Sequence, residues 1–238
     1  MLAEWGEDAL PALPELLPLL ADTWTSSYVL GMLRTIGPGA ASAEPALRTC
    51  QVLDSPGNHW LVAAAAASIS ADRAAALRFF GDAVLAAEEP EYGPISDLAD
   101  FGLDAAPYAN RVRLALKNRT HWVRLTAATT LWSITGQAEP SMQALEEFVL
   151  RIAAGGEAFG FFRLALQALI RMGTISPAIR VALLTVRQSD RRLSTAGGYP
   201  MILQDQELRG LVEQALACAD TPLVRDMLKR VVNPGSAG

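Results

Sequence analysis

One turn-to-helix signature recurs along the chain and constrains its fold more than any single residue does. Ser26-Ser27-Tyr28-Val29, Asn58-His59-Trp60-Leu61 and Thr120-His121-Trp122-Val123 each set a small polar residue two places before an aromatic one and three before an aliphatic one. Their first residues are 32 and then 62 apart, the second interval being twice 31. A Ser, Asn or Thr oxygen at such a place can accept a hydrogen bond from an unpaired N–H in the first helical turn, worth about 1 kcal/mol. The signature therefore predicts recurring helix starts, with Ser26, Asn58 and Thr120 as their caps.

Two further regularities share this period. Pro-Ala-Leu stands at Pro11 to Leu13 and Pro45 to Leu47, and Pro-Ala-Ile at Pro177 to Ile179; proline is tolerated in a first helical turn, where its missing N–H has no partner to lose. Apolar periodic runs close on Gly37, Gly136 and Gly173, the residue type favoured just past a helix. No sustained alternation of β-branched and polar residues predicts a strand. First helices placed near Asp8, Ser42, Asp72, Pro107, Glu139 and Ser176 give about six helical hairpins with a period of about 33 residues. The segment ILQDQELRGLVEQALA beyond them is a further amphipathic helix, expected to cap the array.

Such an array resembles the HEAT-repeat family, in its short HEAT-like form shared with phycobilin lyases. There the second helix reads approximately V-R-x-x-A-A-x-A-L-x-x-I-G. Val123, Arg124, Ala127, Ala128, Leu131 and Ile134 fall in place, with Gly136 one residue late. Leu33, Ile36 and Gly37 match the end of the pattern, as do Ala168, Leu169, Met172 and Gly173. The resemblance implies an all-α, right-handed α-α superhelix, a single solenoid domain over residues 1–238. It would carry an irregular third repeat near 88–105, a loop insertion near 187–200 and a flexible tail at 233–238. Tetratricopeptide arrays have a similar period, but their Trp, Leu-Gly and Tyr pattern is missing.

Within the segment His121 to Gly136, Val123, Ala127, Leu131 and Ile134 recur at spacings of four, four and three, one apolar stripe that Ala128 and Thr130 broaden with small side chains. Trp122 and Trp132 read as packing rather than stacking surfaces. By resemblance Arg124 joins a polar ladder between repeats, and Arg163 is its counterpart.

Charge is divided unevenly. Residues 1–105 hold 4 Lys and Arg against 15 Asp and Glu, and residues 106–238 hold 16 against 10. The overall net charge of -5 argues against a dedicated nucleic-acid binder. Nearly all the positive charge is arginine, which with the abundant alanine is consistent with genome base composition. Cys50 and Cys218 are too few and too far apart for a disulfide framework and fit a reducing cytoplasm. The amino terminus has the wrong charge pattern for a secretory signal, and no uncharged apolar run is long enough for a membrane span.

Chemistry is sparse in the sequence. His59 and His121 occupy equivalent places in separate repeats, too far apart to share a zinc ion. Each precedes a Trp rather than the Glu of the HEAT-like deoxyhypusine hydroxylases, which sets that activity aside. Ser194 to Pro200 contains two glycines but not the Gly-Lys-Ser/Thr ending of a phosphate loop. No catalytic residue, cofactor or metal is expected.

The expectation is thus a non-enzymatic, cytoplasmic scaffold that binds a protein or peptide through its concave face and loops. Candidate surface residues are Asp97, Asp100 and Asp104, spaced to share one helical face, and the arginines Arg111, Arg113, Arg163, Arg191 and Arg192. The acidic trio suits a basic partner or internal pairing with Arg111 and Arg113. The competing expectation is a DNA-binding repair protein of the HEAT-like alkylpurine glycosylase type, for which the arginines would line a basic groove. If the chain is one segment of a longer array, exposed end helices would favour self-association.

Overall fold

The computed structural model describes residues 6–22, 24–50, 56–89, 91–195 and 198–220, and these fall into two compact units that divide between Ala83 and Val84. Among the described residues every regular element is a helix and there is no strand, as the periodicity predicts. The expected tail at 233–238 lies outside the described residues.

In the first unit, short 3-10 and α turns over residues 6–21, with α1 at Leu13–Leu16, lead into α2 (Ser26–Ile36). A second run of turns, ending in α3 (Glu44–Arg48), leads to α4 (Pro56–Ile69). Prolines explain the fragmentation: Pro11, Pro14, Pro18, Pro38 and Pro45 come too often for one continuous α-helix to form. Leu30, Leu33, Ile36, Leu47, Val62 and Ile69 are buried together where α2 meets α4. Helix α5 (Arg73–Ala86) follows, and Trp60 stacks on Phe79 with ring centroids 5.2 Å apart.

The second unit contains α6 (Tyr92–Leu98), a 3-10 stretch continuing to Tyr108, and α7 (Ala109–Ala115). Then come α8 (His121–Thr135), α9 (Ala138–Ala153), α10 (Phe159–Met172), α11 (Pro177–Gln188) and α12 (Tyr199–Asp220). Helix α8 contacts α6 and α10; α9 contacts α8, α10 and α11; and α12 contacts both α10 and α11. Helix α12 is the segment expected to cap the array. Val123, Ala127, Leu131 and Ile134 are buried, with Ala127 and Ala128 at 0% exposure, so the two adjacent alanines are packing residues, as their spacing predicts. Thr130 is buried as well, where its hydroxyl finds a partner on α6.

Helix ends follow the sequence better than helix starts do. Gly136 follows α8 with φ 67° and Gly173 follows α10 with φ 66°, both in the left-handed region that a side chain would strain. Thr120 does not cap α8 through its side chain, and Ser26 does not stand at the cap position of α2. Thr120 shows no such bond, and its own N–H is taken by the Asn118 carboxamide oxygen at 2.8 Å. Ser26 is already inside α2, and Asp22 accepts from both the N–H and the hydroxyl of Thr25 before it. The Asn58 side chain lies outside the described residues. A side-chain cap does form at Ser176, whose hydroxyl oxygen accepts from the Ile179 N–H at 3.1 Å.

Candidate functional site

A cleft of about 260 Å³ opens in the second unit where α6, α8 and α10 meet. Helix α8 contributes Trp122, Thr126, Thr129 and Ser133, residues spaced four, three and four apart and therefore in one row along the helix. This row is the polar counterpart of the buried apolar stripe. Tyr92, Ser96, Ala99 and Asp100 line the cleft from α6 and the turn after it, and Leu164, Gln167 and Arg171 line it from α10. Thr130 Oγ1 donates to the Ile95 carbonyl at 3.1 Å, so a buried bond ties α8 to α6 beside the cleft.

Aromatic side chains shape one part of this site. Trp122 is 49% exposed and Tyr92 51%. Their rings meet edge to face at 6.4 Å, and Trp122 leans on Phe161 at 4.9 Å. Trp122 thus packs on one side and stays open on the other, which departs from the purely packing role its sequence position suggests. The three signature aromatics differ: Tyr28 is 75% exposed, Trp60 stacks on Phe79, and Trp122 sits at the cleft. Trp132 is partly buried against the core, as expected.

The acidic trio does not share a face. Gly102, with φ 54° and ψ -137°, breaks the helical path between Asp100 and Asp104. Asp97 is buried at the end of α6, Asp100 is exposed at the cleft, and Asp104 is exposed beyond the break. Both Asp97 and Asp100 have partners within the chain.

The candidate arginines serve internal contacts. Arg111 donates to the carbonyls of Val84, Ala87 and Glu88, all within the second unit, and Arg113 donates to Asn110 at 2.8 Å. Arg163 pairs with Glu207 of α12 at 2.7 Å. Arg191 donates to the Gly156 carbonyl at 2.6 Å and lies over the Phe159 ring, so it closes the end of α9. Arg192 reaches Asp205 at 3.2 Å. Arg124 behaves as a link between helices, bonding Glu147 of α9 at 2.7 Å and the carbonyls of Asn118 and Arg119.

Asp205 organises the connection before α12. Burial pushes its carboxyl up, but the Leu193 N–H at 2.8 Å and the guanidinium groups of Arg209 and Arg192 outweigh that, holding it below the usual carboxylate range. Arg209 also donates to the carbonyls of Ser189 and Arg191, so the expected loop insertion is pinned at its base.

Arg171 differs from these arginines. It is exposed in the last turn of α10, at the cleft, with no hydrogen-bond or ion-pair partner among the described residues. No expectation from the sequence falls on it; the signal available was its spacing of four from Gln167 and seven from Leu164. The groups at the cleft can hydrogen-bond, stack and form an ion pair with a bound molecule. His121 lies apart from the cleft lining, against the Phe148 and Phe161 rings and 4.0 Å from Glu147. No group of three or more His, Cys, Asp and Glu side chains converges as a metal site among the described residues. Cys50 is buried with its thiol toward the Leu20 carbonyl, while Cys218 is only partly buried. Among the described residues no helix is long and apolar enough to cross a membrane.

Against known proteins the chain finds no matching family model, curated protein or solved structure.

Proposed function

We propose that the chain is a short HEAT-like α-solenoid that acts without catalysis in the cytoplasm, holding an extended peptide segment of a protein partner across the α6, α8 and α10 cleft. The observation that carries this reading is the half-exposed pair Trp122 and Tyr92 beside a row of hydroxyl groups. Leaving aromatic surface in water forfeits about 25 cal/mol per Å² of burial, which a partner would recover. Trp and Tyr are also the side chains on which interface energy most often concentrates. From Trp122 to Ser133 the row extends roughly 16 Å at a rise of about 1.5 Å per residue. About five residues of extended chain cover that length; the hydroxyls of Thr126 and Ser133 can both donate to and accept from peptide groups, and that of Thr129, which donates to the Thr126 carbonyl, can accept.

The repeated hairpin period and the way α9 meets α8, α10 and α11 support the solenoid reading. The internal engagement of Arg163, Arg191 and Arg192 speaks against the basic DNA groove that a glycosylase would need. Affinity capture from the native cell, followed by cross-link mapping, tests the proposal. A protein recovered by the wild type and cross-linked at the α8 row, then lost with Tyr92→Ala/Trp122→Ala, is the expected result. Recovery unaffected by that double substitution would count against it, as would duplex-DNA binding that weakens steeply with salt.

A further inference from the structure

We infer that the peptide segment held in this cleft is acidic and presents a side-chain carboxylate to Arg171. The inference rests on the peptide-binding reading and names the chemistry of its ligand. Arg111, Arg124, Arg163, Arg191, Arg192 and Arg209 all spend their donors on carbonyls or carboxylates of the chain itself. Arg171 spends none among the described residues, and it is the arginine that lines the cleft. Its planar fork of N–H donors matches a carboxylate through two parallel hydrogen bonds, a geometry that a water shell imitates poorly.

The surroundings favour the same ligand. Gln167, one turn earlier on α10, adds an amide donor, and Thr126 and Ser133 add hydroxyls from α8, while the Thr129 hydroxyl is spent on the Thr126 carbonyl. Asp100 enters from the α6 side and already has a partner within the chain. It repels a carboxylate from that side, so an acidic segment is oriented with its charge toward α10. The unit that holds the cleft, residues 84–238, has 16 Lys and Arg against 16 Asp and Glu, so the attraction for an acidic chain is local to Arg171.

A positive charge in the last turn of α10 also complements the helix dipole. Lysine would serve that purpose equally, whereas bidentate carboxylate binding needs the guanidinium. The two roles therefore separate by substitution.

The test uses the full chain labelled with 5-fluorotryptophan, the Trp122 fluorine resonance being assigned through Trp122→Phe. Tetraglutamate, tetraglutamine and tetralysine, each blocked at both ends, are titrated at one fixed ionic strength. Tetraglutamate is expected to shift the Trp122 signal saturably and the other two peptides are not. Arg171→Gln should weaken tetraglutamate binding roughly ten- to hundredfold. Arg171→Lys should fall between that variant and the wild type, with thermal unfolding of all three proteins alike. An equal response to tetraglutamine would overturn the acidic ligand while leaving peptide binding intact. Silence at Trp122 with millimolar tetraglutamate, or an undiminished response in Arg171→Gln, would overturn it too, and capture of the native partner through Tyr92 and Trp122 would then show whether peptide binding survives.

Discussion

Thr130 and Ile95 are joined across two helices by one buried hydrogen bond, the Thr130 hydroxyl donating to the Ile95 carbonyl at 3.1 Å. Thr130 is 1% exposed and Ile95 is fully buried, so water cannot replace either partner. Thr130→Val keeps the volume and strands the carbonyl, which should cost about 1–3 kcal/mol. Thr130→Ser keeps the donor and should cost less. Urea denaturation of the two variants checks the order, and an equal loss would remove the bond from the account.

Ala127 lies on the buried stripe of α8 with no exposed surface. Ala127→Glu places a carboxylate there with nothing to pair it, and the expected destabilisation is about 3 kcal/mol or more. Far-UV circular dichroism during thermal unfolding would show it as a large fall in Tm. An unchanged Tm would mean that this face of α8 does not pack as described.

Acid should loosen the connection into α12 through Asp205. Its carboxyl is held below the ordinary range in the folded chain, burial being outweighed by the Leu193 N–H, Arg209 and Arg192. A depressed folded pKa means that the unfolded chain binds the proton first. The stabilisation is thus complete above the unfolded value near 4 and is lost as pH falls through the lower folded value. Asp205→Asn should lower stability at pH 7 by about 1.5–3 kcal/mol and flatten its decline in acid. Denaturation midpoints measured from pH 7 down to pH 3 separate this from a general acid effect, since the gap between wild type and variant should begin to narrow below the unfolded value.

Gly136 has φ 67° and open space around the position that a Cβ would take. Gly136→Ala therefore meets backbone strain without a clash, and about 1 kcal/mol should be lost. A comparable loss in Gly173→Ala, measured by the same denaturation, would show that α8 and α10 are ended by the same device.

Much of the helical order is written locally, and that part was readable. The stripe Val123, Ala127, Leu131 and Ile134 needs only the helical period, and the turns at Gly136 and Gly173 need only the conformational freedom of glycine. The cleft was not readable because Tyr92, Trp122 and Arg171 come from three helices separated by tens of residues. The aspartate trio failed for another reason. Asp97, Asp100 and Asp104 have helical spacing, but Gly102 between them turns the backbone away. Surface arginines misled in a third way, since a guanidinium that bonds a carbonyl of its own chain has the same one-letter code as one that waits for a ligand.

The carbonyls of Glu88, Asn118 and Gly156 are each met by a guanidinium from farther along the chain: Arg111, Arg124 and Arg191. A guanidinium presents a rigid fork of N–H donors, so one side chain can hold two carbonyls of a turn at once, as Arg124 does at Asn118 and Arg119. Exchanging the three arginines for lysines would leave each joint on a single mobile ammonium and loosen the chain where these segments meet.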